Sequence, residues 1–185
     1  LYEVFLTYGF FLIRNQLLDE RQQVEFGQRF GALEFAALPL ANQIKKPDGN
    51  YTDVFAADSH RMLVNRGNEA WHTDSTYWPV SSKCAMLTAL KVPAEGGQTE
   101  LADARAAYAC LPEALRSRVE GRSAYHSTQY SQAKDLGHYP EQKADSIYHG
   151  EAYLRPLVKV HPETGRPNLM VGRHAFGVPG LSRSE

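Results

Sequence analysis

Apolar runs in this sequence are short, and glycine or proline closes most of them. Phe10-Phe11-Leu12-Ile13 follows Gly9, residues 84–92 run into Pro93 and Gly96-Gly97, and residues 157–161 and 168–171 flank Pro162-Glu163-Thr164-Gly165-Arg166. Proline removes a ladder donor and glycine frees the backbone for turns, so this punctuation predicts strands joined by turns. Strands are expected at 10–13, 84–92 and 99–102, and a hairpin with a longer loop from 157–161 and 168–171.

Helical spacing is concentrated at the start and in the middle. Leu1, Val4, Phe5 and Tyr8 recur at helical intervals, so a helix is under way at the first residue. Asp19, with Gln22 three residues on, is placed to cap a second helix, and Gly31 suits its C′ position. Asp103 caps a helix through Leu111, and Pro112 starts another that ends at Gly121. Residues 36–67, with Pro39, Pro47 and Asp48-Gly49, read as a long excursion with few regular elements, and the polar, aperiodic residues 127–150 read as an insertion. The sum is one domain over 1–185, α+β and mainly β, with a sandwich or barrel core carrying helices. Both ends read as cut: the chain opens inside a helix without Met, and Ser182-Arg183-Ser184-Glu185 has the form of a capping box.

Composition narrows the partners. With 20 Lys and Arg against 21 Asp and Glu, no bulk charge recruits a nucleic-acid backbone or an anionic membrane. No apolar stretch approaches the roughly 18 residues of a membrane span, and no basic leader precedes the first apolar residues, so a cytoplasmic protein is expected. Cys84 and Cys110 make neither a disulfide framework nor a CxxC knot, and buried reduced thiols are expected.

The segment that carries chemistry is Asn68-Glu69-Ala70-Trp71-His72-Thr73-Asp74-Ser75-Thr76-Tyr77-Trp78. On an extended backbone His72 and Asp74, two apart, project from the same face. An imidazole and a carboxylate that converge supply two members of the 2-His-1-carboxylate facial triad, which holds Fe(II) and leaves positions open. His-x-Asp alone fits equally a structural His bonded to a neighbouring carboxylate, and Trp71 and Trp78 fit core or pocket wall.

The order of motifs is more specific. Trp71-His72-Thr73-Asp74, then Ala85-Met86-Leu87, Gly96-Gly97-Gln98-Thr99-Glu100, Ala106-Ala107-Tyr108 and Leu111-Pro112 resembles the TauD/TfdA family of Fe(II)- and 2-oxoglutarate-dependent dioxygenases. The likeness extends to Phe11-Leu12-Ile13-Arg14, Phe30-Gly31, residues 157–166 and Val178-Pro179-Gly180-Leu181. Ser75, Thr99-Glu100 and Asp103-x-Arg105-Ala106-Ala107-Tyr108 are more similar to the 2,4-dichlorophenoxyacetate branch than to the taurine branch.

That resemblance implies a double-stranded β-helix (jelly-roll) core with flanking helices, incomplete at the C-terminus. It implies Fe(II), with 2-oxoglutarate and O₂ as cosubstrates, and hydroxylation of a small anionic substrate such as a phenoxyacetate. A taurine or alkylsulfonate dioxygenase and a non-catalytic jelly-roll module are the alternatives; association with further copies of the chain is compatible with each. His72 and Asp74 take the positions of the first two metal ligands, and Thr99 that of a hydroxyl bonding a 2-oxoglutarate carboxylate. Asn68 and Ser75 fall at substrate-contacting positions, although Asn68 suits a loop cap equally and Thr99 an ordinary strand. Gln98 replaces the family's usual Asp, and its amide still suits the turn. The third metal ligand, a His, and the 2-oxoglutarate-clamping Arg are expected beyond Glu185. None of His126, His138, His149, His161 and His174 matches that distal His; for His161 and His174 a hydrogen-bonding structural role is expected.

Overall fold

The computed structural model describes residues 1–34, 44–45, 47, 51–52, 56–89, 92–142 and 150–182. They form two compact units, each gathered from three stretches of chain.

The first unit comprises Leu1–Leu33, Ser82–Ser123 and Pro156–Met170. Its helices are α1 (Tyr2–Tyr8), α2 (Glu20–Gly27), α4 (Ala104–Ala109) and α5 (Glu113–Val119), and its strands are β5 (Val158–Val160) and β6 (Pro167–Leu169). The expected caps operate. Asp19 accepts from the Gln22 amide while the Gln22 side chain returns to the Asp19 amide, and Asp103 accepts from Arg105 and Ala106. Gly9 closes α1 at φ 82°. Strands β5 and β6 form the expected antiparallel hairpin, with Val158 opposite Leu169 and Val160 opposite Pro167. Leu157 and Met170 are the buried hydrophobics here, and a separate set of ring contacts joins Phe30 to Tyr2, Phe5, Phe11 and Phe26.

The second unit comprises Glu34–Ser81, Ala124–Arg155 and Val171–Glu185. It holds the hairpin of β1 (Ile44–Lys45) and β2 (Tyr51–Thr52), helices α3 (His60–Gly67) and α6 (Thr128–Leu136), and a sheet of order β4-β3-β7 from Tyr153–Pro156, Ser123–His126 and Ala175–Phe176. Strands β3 and β7 are antiparallel, pairing Tyr125 with Phe176 and His126 with Ala175. Tyr130 of α6 stacks on Phe176 with ring centroids 4.2 Å apart. The buried residues of this unit are mostly polar: Ser75, Thr76, His126, Ser127, Thr128, Ser131, Gln132 and His174. Buried polar atoms demand partners, so the interior is organised by hydrogen bonds as much as by apolar contact.

Several expectations are corrected. Residues 10–13 form no strand; Phe10 and Leu12 are exposed, and only Phe11 turns into the aromatic cluster. Among the described residues of 84–92, exposure alternates from Cys84 to Ala89 as in a strand, yet no ladder forms, and the exposed residues 99–102 form none either. Helix α2 ends at Gly27 with Gln28 as its C-cap, before Gly31. Residues 36–67 contain α3, started by Ser59, whose hydroxyl accepts from the Met62 amide. Residues 127–150 contain α6, capped by Ser127 and closed by Gly137 at φ 72°. Both helices are short and each is announced by a single serine cap, which periodicity alone passes over. Cys110 is exposed rather than buried. The capping-box reading of 182–185 lies outside the described residues after Ser182, as does His149. Among the described residues no helix is long and apolar enough to cross a membrane.

Candidate metal centre

Helix α3 ends at Asn68, whose amide donates to Asn65 O at 2.9 Å; the chain then runs irregularly through His72 into a turn over residues 74–77. The amide of Trp78 donates to Ser75 O at 3.2 Å. Ser75 takes φ 61°, a left-handed conformation uncommon for a residue with a side chain. Its buried hydroxyl donates to Glu34 Oε2 at 2.6 Å. From the far side, the amide of Arg173 donates to Trp71 O at 2.9 Å, and Gly172 lies directly against Trp71 O and the Cα of His72.

This scaffold brings His72 and Asp74 together, with Nε2 and Oδ1 3.1 Å apart. The Nδ1 of His72 lies 2.7 Å from Ala70 O, and because a carbonyl can only accept, Nδ1 carries the proton and Nε2 is the atom free to ligate. In the neutral imidazole a lone pair and a carboxylate oxygen then face each other. Two ligands at about 2.1 Å on adjacent corners of an octahedron stand about 3.0 Å apart, so the pair fits the facial arrangement of Fe(II). Without metal a proton does the same work. The Asp74 hydrogen bond raises the His72 pKa against the opposing effect of burial, and the His72 hydrogen bond lowers that of Asp74.

His174 lies against this pair. Its ring centroid is 5.5 Å from that of His72 and 4.9 Å from that of Tyr77. Ser131 Oγ donates to Thr128 O at 3.0 Å and stands 2.9 Å from His174 Nδ1, so it accepts from Nδ1–H. Burial, then the nearby His72, pushes the His174 imidazole down to about 3, which keeps it neutral. The hydrogen-bonding role expected of His174 is present, but its place beside His72 is legible only in three dimensions. His161 has the local role alone, accepting at Nδ1 from the Glu163 and Thr164 amides at 3.3 Å. His126 is buried behind the turn with Nδ1 2.9 Å from Thr76 Oγ1, and burial pushes its pKa down to about 4.

The other anticipated residues are placed differently. Asn68 caps α3 and is exposed. Thr99 belongs to the first unit, exposed, one residue beyond Gln98 in the run that opens with Gly96 and Gly97, both left-handed at φ 75° and 69°. Among the described residues no third imidazole, carboxylate or thiolate joins His72 and Asp74 in a metal-binding group.

The model of the "Taurine catabolism dioxygenase TauD, TfdA family" matches residues 1–185. The chain belongs to this family. Among TauD/TfdA relatives it is 45% identical to an (S)-phenoxypropionate/alpha-ketoglutarate-dioxygenase of Sphingobium herbicidovorans, over 97% of the chain and 63% of that protein. It is 32% identical to the alpha-ketoglutarate-dependent 2,4-dichlorophenoxyacetate dioxygenase of Cupriavidus pinatubonensis, over 94% of the chain and 63% of that protein. It thus spans somewhat under two thirds of the length of these relatives. The crystal structure of AAD-2 in complex with Mn(II) and N-oxalylglycine superposes with a TM-score of 0.72 at 30% identity, covering 91% of this chain and 60% of that one.

Proposed function

We propose that His72 and Asp74 are two protein ligands of an Fe(II) centre in a 2-oxoglutarate-dependent dioxygenase that hydroxylates a small phenoxyalkanoate-type carboxylate. The 3.1 Å approach of Nε2 to Oδ1 carries this reading. Family membership supports it, as do the phenoxyalkanoate substrates in the names of the relatives above. The Mn(II) and N-oxalylglycine of AAD-2 support the cofactor set, since N-oxalylglycine shares the keto-acid head and distal carboxylate of 2-oxoglutarate. When bound, the iron and 2-oxoglutarate supply O₂ activation coupled to release of succinate and CO₂.

The chain's own part is placement. Ala70 O holds the His72 tautomer, Arg173 and Gly172 fix its backbone, and Ser75 with Glu34 fixes the turn that presents Asp74. Thr99 is proposed for the 2-oxoglutarate carboxylate, and Asn68 and Ser75 for the substrate's surroundings, on the family pattern. With its hydroxyl given to Glu34, Ser75 contributes there through backbone and Cβ. The scaffold is proposed to be a single jelly-roll domain with flanking helices. Hydroxylation beside an ether oxygen leaves a hemiacetal or hemiketal that collapses to a phenol and an oxo acid, which gives the assay.

The whole protein is supplied with Fe(II), 2-oxoglutarate and O₂, and succinate and phenol are measured with phenoxypropionate, phenoxyacetate or taurine. Succinate matched by phenol from the aryloxy acids is the expected result. Turnover of taurine alone refutes the substrate class, and turnover of nothing, without metal binding, refutes the enzyme.

A further inference from the structure

The turn that carries Asp74 has few backbone partners of its own. Between Asp74 and Pro79 no helix or strand forms, and the carbonyls of Thr76, Trp78 and Pro79 belong to no ladder. All three are met by one side chain. Arg155, on β4, donates from Nε to Thr76 O at 2.9 Å and from Nη2 to Trp78 O and, at 3.2 Å, to Pro79 O. Arg155 is half-buried and has no carboxylate partner among the described residues; burial depresses its pKa. Partly buried, with its guanidinium 5.8 Å from the Tyr153 ring centroid, Arg155 gives up some hydration that a neutral side chain filling the same space would not. What the guanidinium offers instead is a rigid planar fork of donors.

We propose that Arg155 is a positioning residue for the metal centre: its fork fixes the 76–79 carbonyls and thereby holds the Asp74 carboxylate at ligating distance from His72 Nε2. The proposal rests on the metal assignment above. The coupling is short: Thr76 lies two residues after Asp74 across the left-handed Ser75, and its hydroxyl meets His126 on β3, the strand beside β4. Thr76 is thus gripped at its carbonyl from β4 and at its side chain from β3. Outer partners of this kind set metal affinity by holding ligands in their orientation.

Mn(II) binding to the whole protein, read by the loss of the free-ion EPR signal, separates the two assignments. Wild type binds and His72→Ala does not if the centre is correctly assigned; equal binding in both overturns the centre itself. With that control in hand, Arg155→Gln and Arg155→Lys should each weaken Mn(II) about ten-fold or more, because neither replacement reproduces the fork. The affinity is measured well below the melting temperature of each variant, where a purely structural role lowers the melting temperature and leaves the affinity unchanged. In Arg155→Ala, millimolar guanidinium ion should restore affinity and ammonium should not. Wild-type Mn(II) affinity in Arg155→Gln and Arg155→Lys, with His72→Ala inactive in binding, overturns the role of Arg155 and leaves the centre intact.

Discussion

Gly172→Ala tests how tightly the backbone behind His72 is built. Gly172 stands at φ 155°, in a region L side chains rarely adopt, and an added Cβ would lie 3.0 Å from the His72 Cα and 3.0 Å from Trp71 O. Both obstacles are main-chain atoms, so neither rotates aside. The segment cannot simply back away, because the Arg173 amide is bonded to Trp71 O at 2.9 Å and His174 is buried two residues on. The unfavourable backbone conformation is worth about 1–3 kcal/mol and overpacking a similar amount. A shift that relieves one partly relieves the other, which gives a destabilisation of about 2–4 kcal/mol. At roughly 2–4 °C per kcal/mol for a chain of this length, the melting temperature of the metal-free protein should fall by about 5–15 °C. Whatever movement accommodates the methyl falls on His72, so Mn(II) affinity should drop as well. Thermal unfolding by circular dichroism and Mn(II) titration read both. A melting temperature within about 2 °C of wild type, with unchanged affinity, would refute the claim that His72 is set by this backbone contact.

The His72–Asp74 pair makes binding and stability respond to pH in opposite senses. The metal needs a neutral imidazole, so Mn(II) affinity should decline as pH falls through the raised pKa of His72; NMR titration of the imidazole should show that pKa moving down in Asp74→Asn. In the metal-free protein the pair's stabilisation is full between the unfolded values of about 3.9 for Asp and 6.5 for His. It is lost as pH rises through the folded pKa of His72 and as pH falls through the folded pKa of Asp74, which a pH series of melting temperatures checks. His126 acts in acid: native-state burial holds it at about 4, so stability should fall as pH drops from about 6.5, by roughly 3 kcal/mol at pH 4. His126→Gln should remove that component from the urea-unfolding pH profile, and identical profiles would show that His126 does not titrate against folding.

The parts of the molecule legible in the sequence are those written in adjacent residues. The Asp19–Gln22 capping box, the Asp103 cap, the 158–169 hairpin and the His72-x-Asp74 pair each need only a few neighbouring side chains, and each forms. Helices α3 and α6 are hidden because they are short and their start signals are single serines. The strands expected at 10–13 and 84–92 have suitable residues, but a ladder also needs a partner, which local pattern does not specify. The surroundings of the His72–Asp74 pair are hidden for the same reason. Arg155, Gly172 and His174 lie about 80 to 100 positions after Asp74 and reach its neighbourhood only through β4 and β7. Nor does local pattern reveal the partner of the buried Ser75 hydroxyl, which donates a hydrogen bond to Glu34, 41 positions earlier in the chain.

The most direct test of the account is optical. Fe(II) and 2-oxoglutarate are added without oxygen to the whole protein and to its His72→Ala and Asp74→Ala variants, and the metal-to-ligand charge-transfer absorption is recorded. The band should form in the wild type and be absent or greatly weakened in both variants, because each loses one of the three protein ligands of the facial triad. A band of wild-type strength in either variant would place the iron elsewhere and contradict the account at its centre.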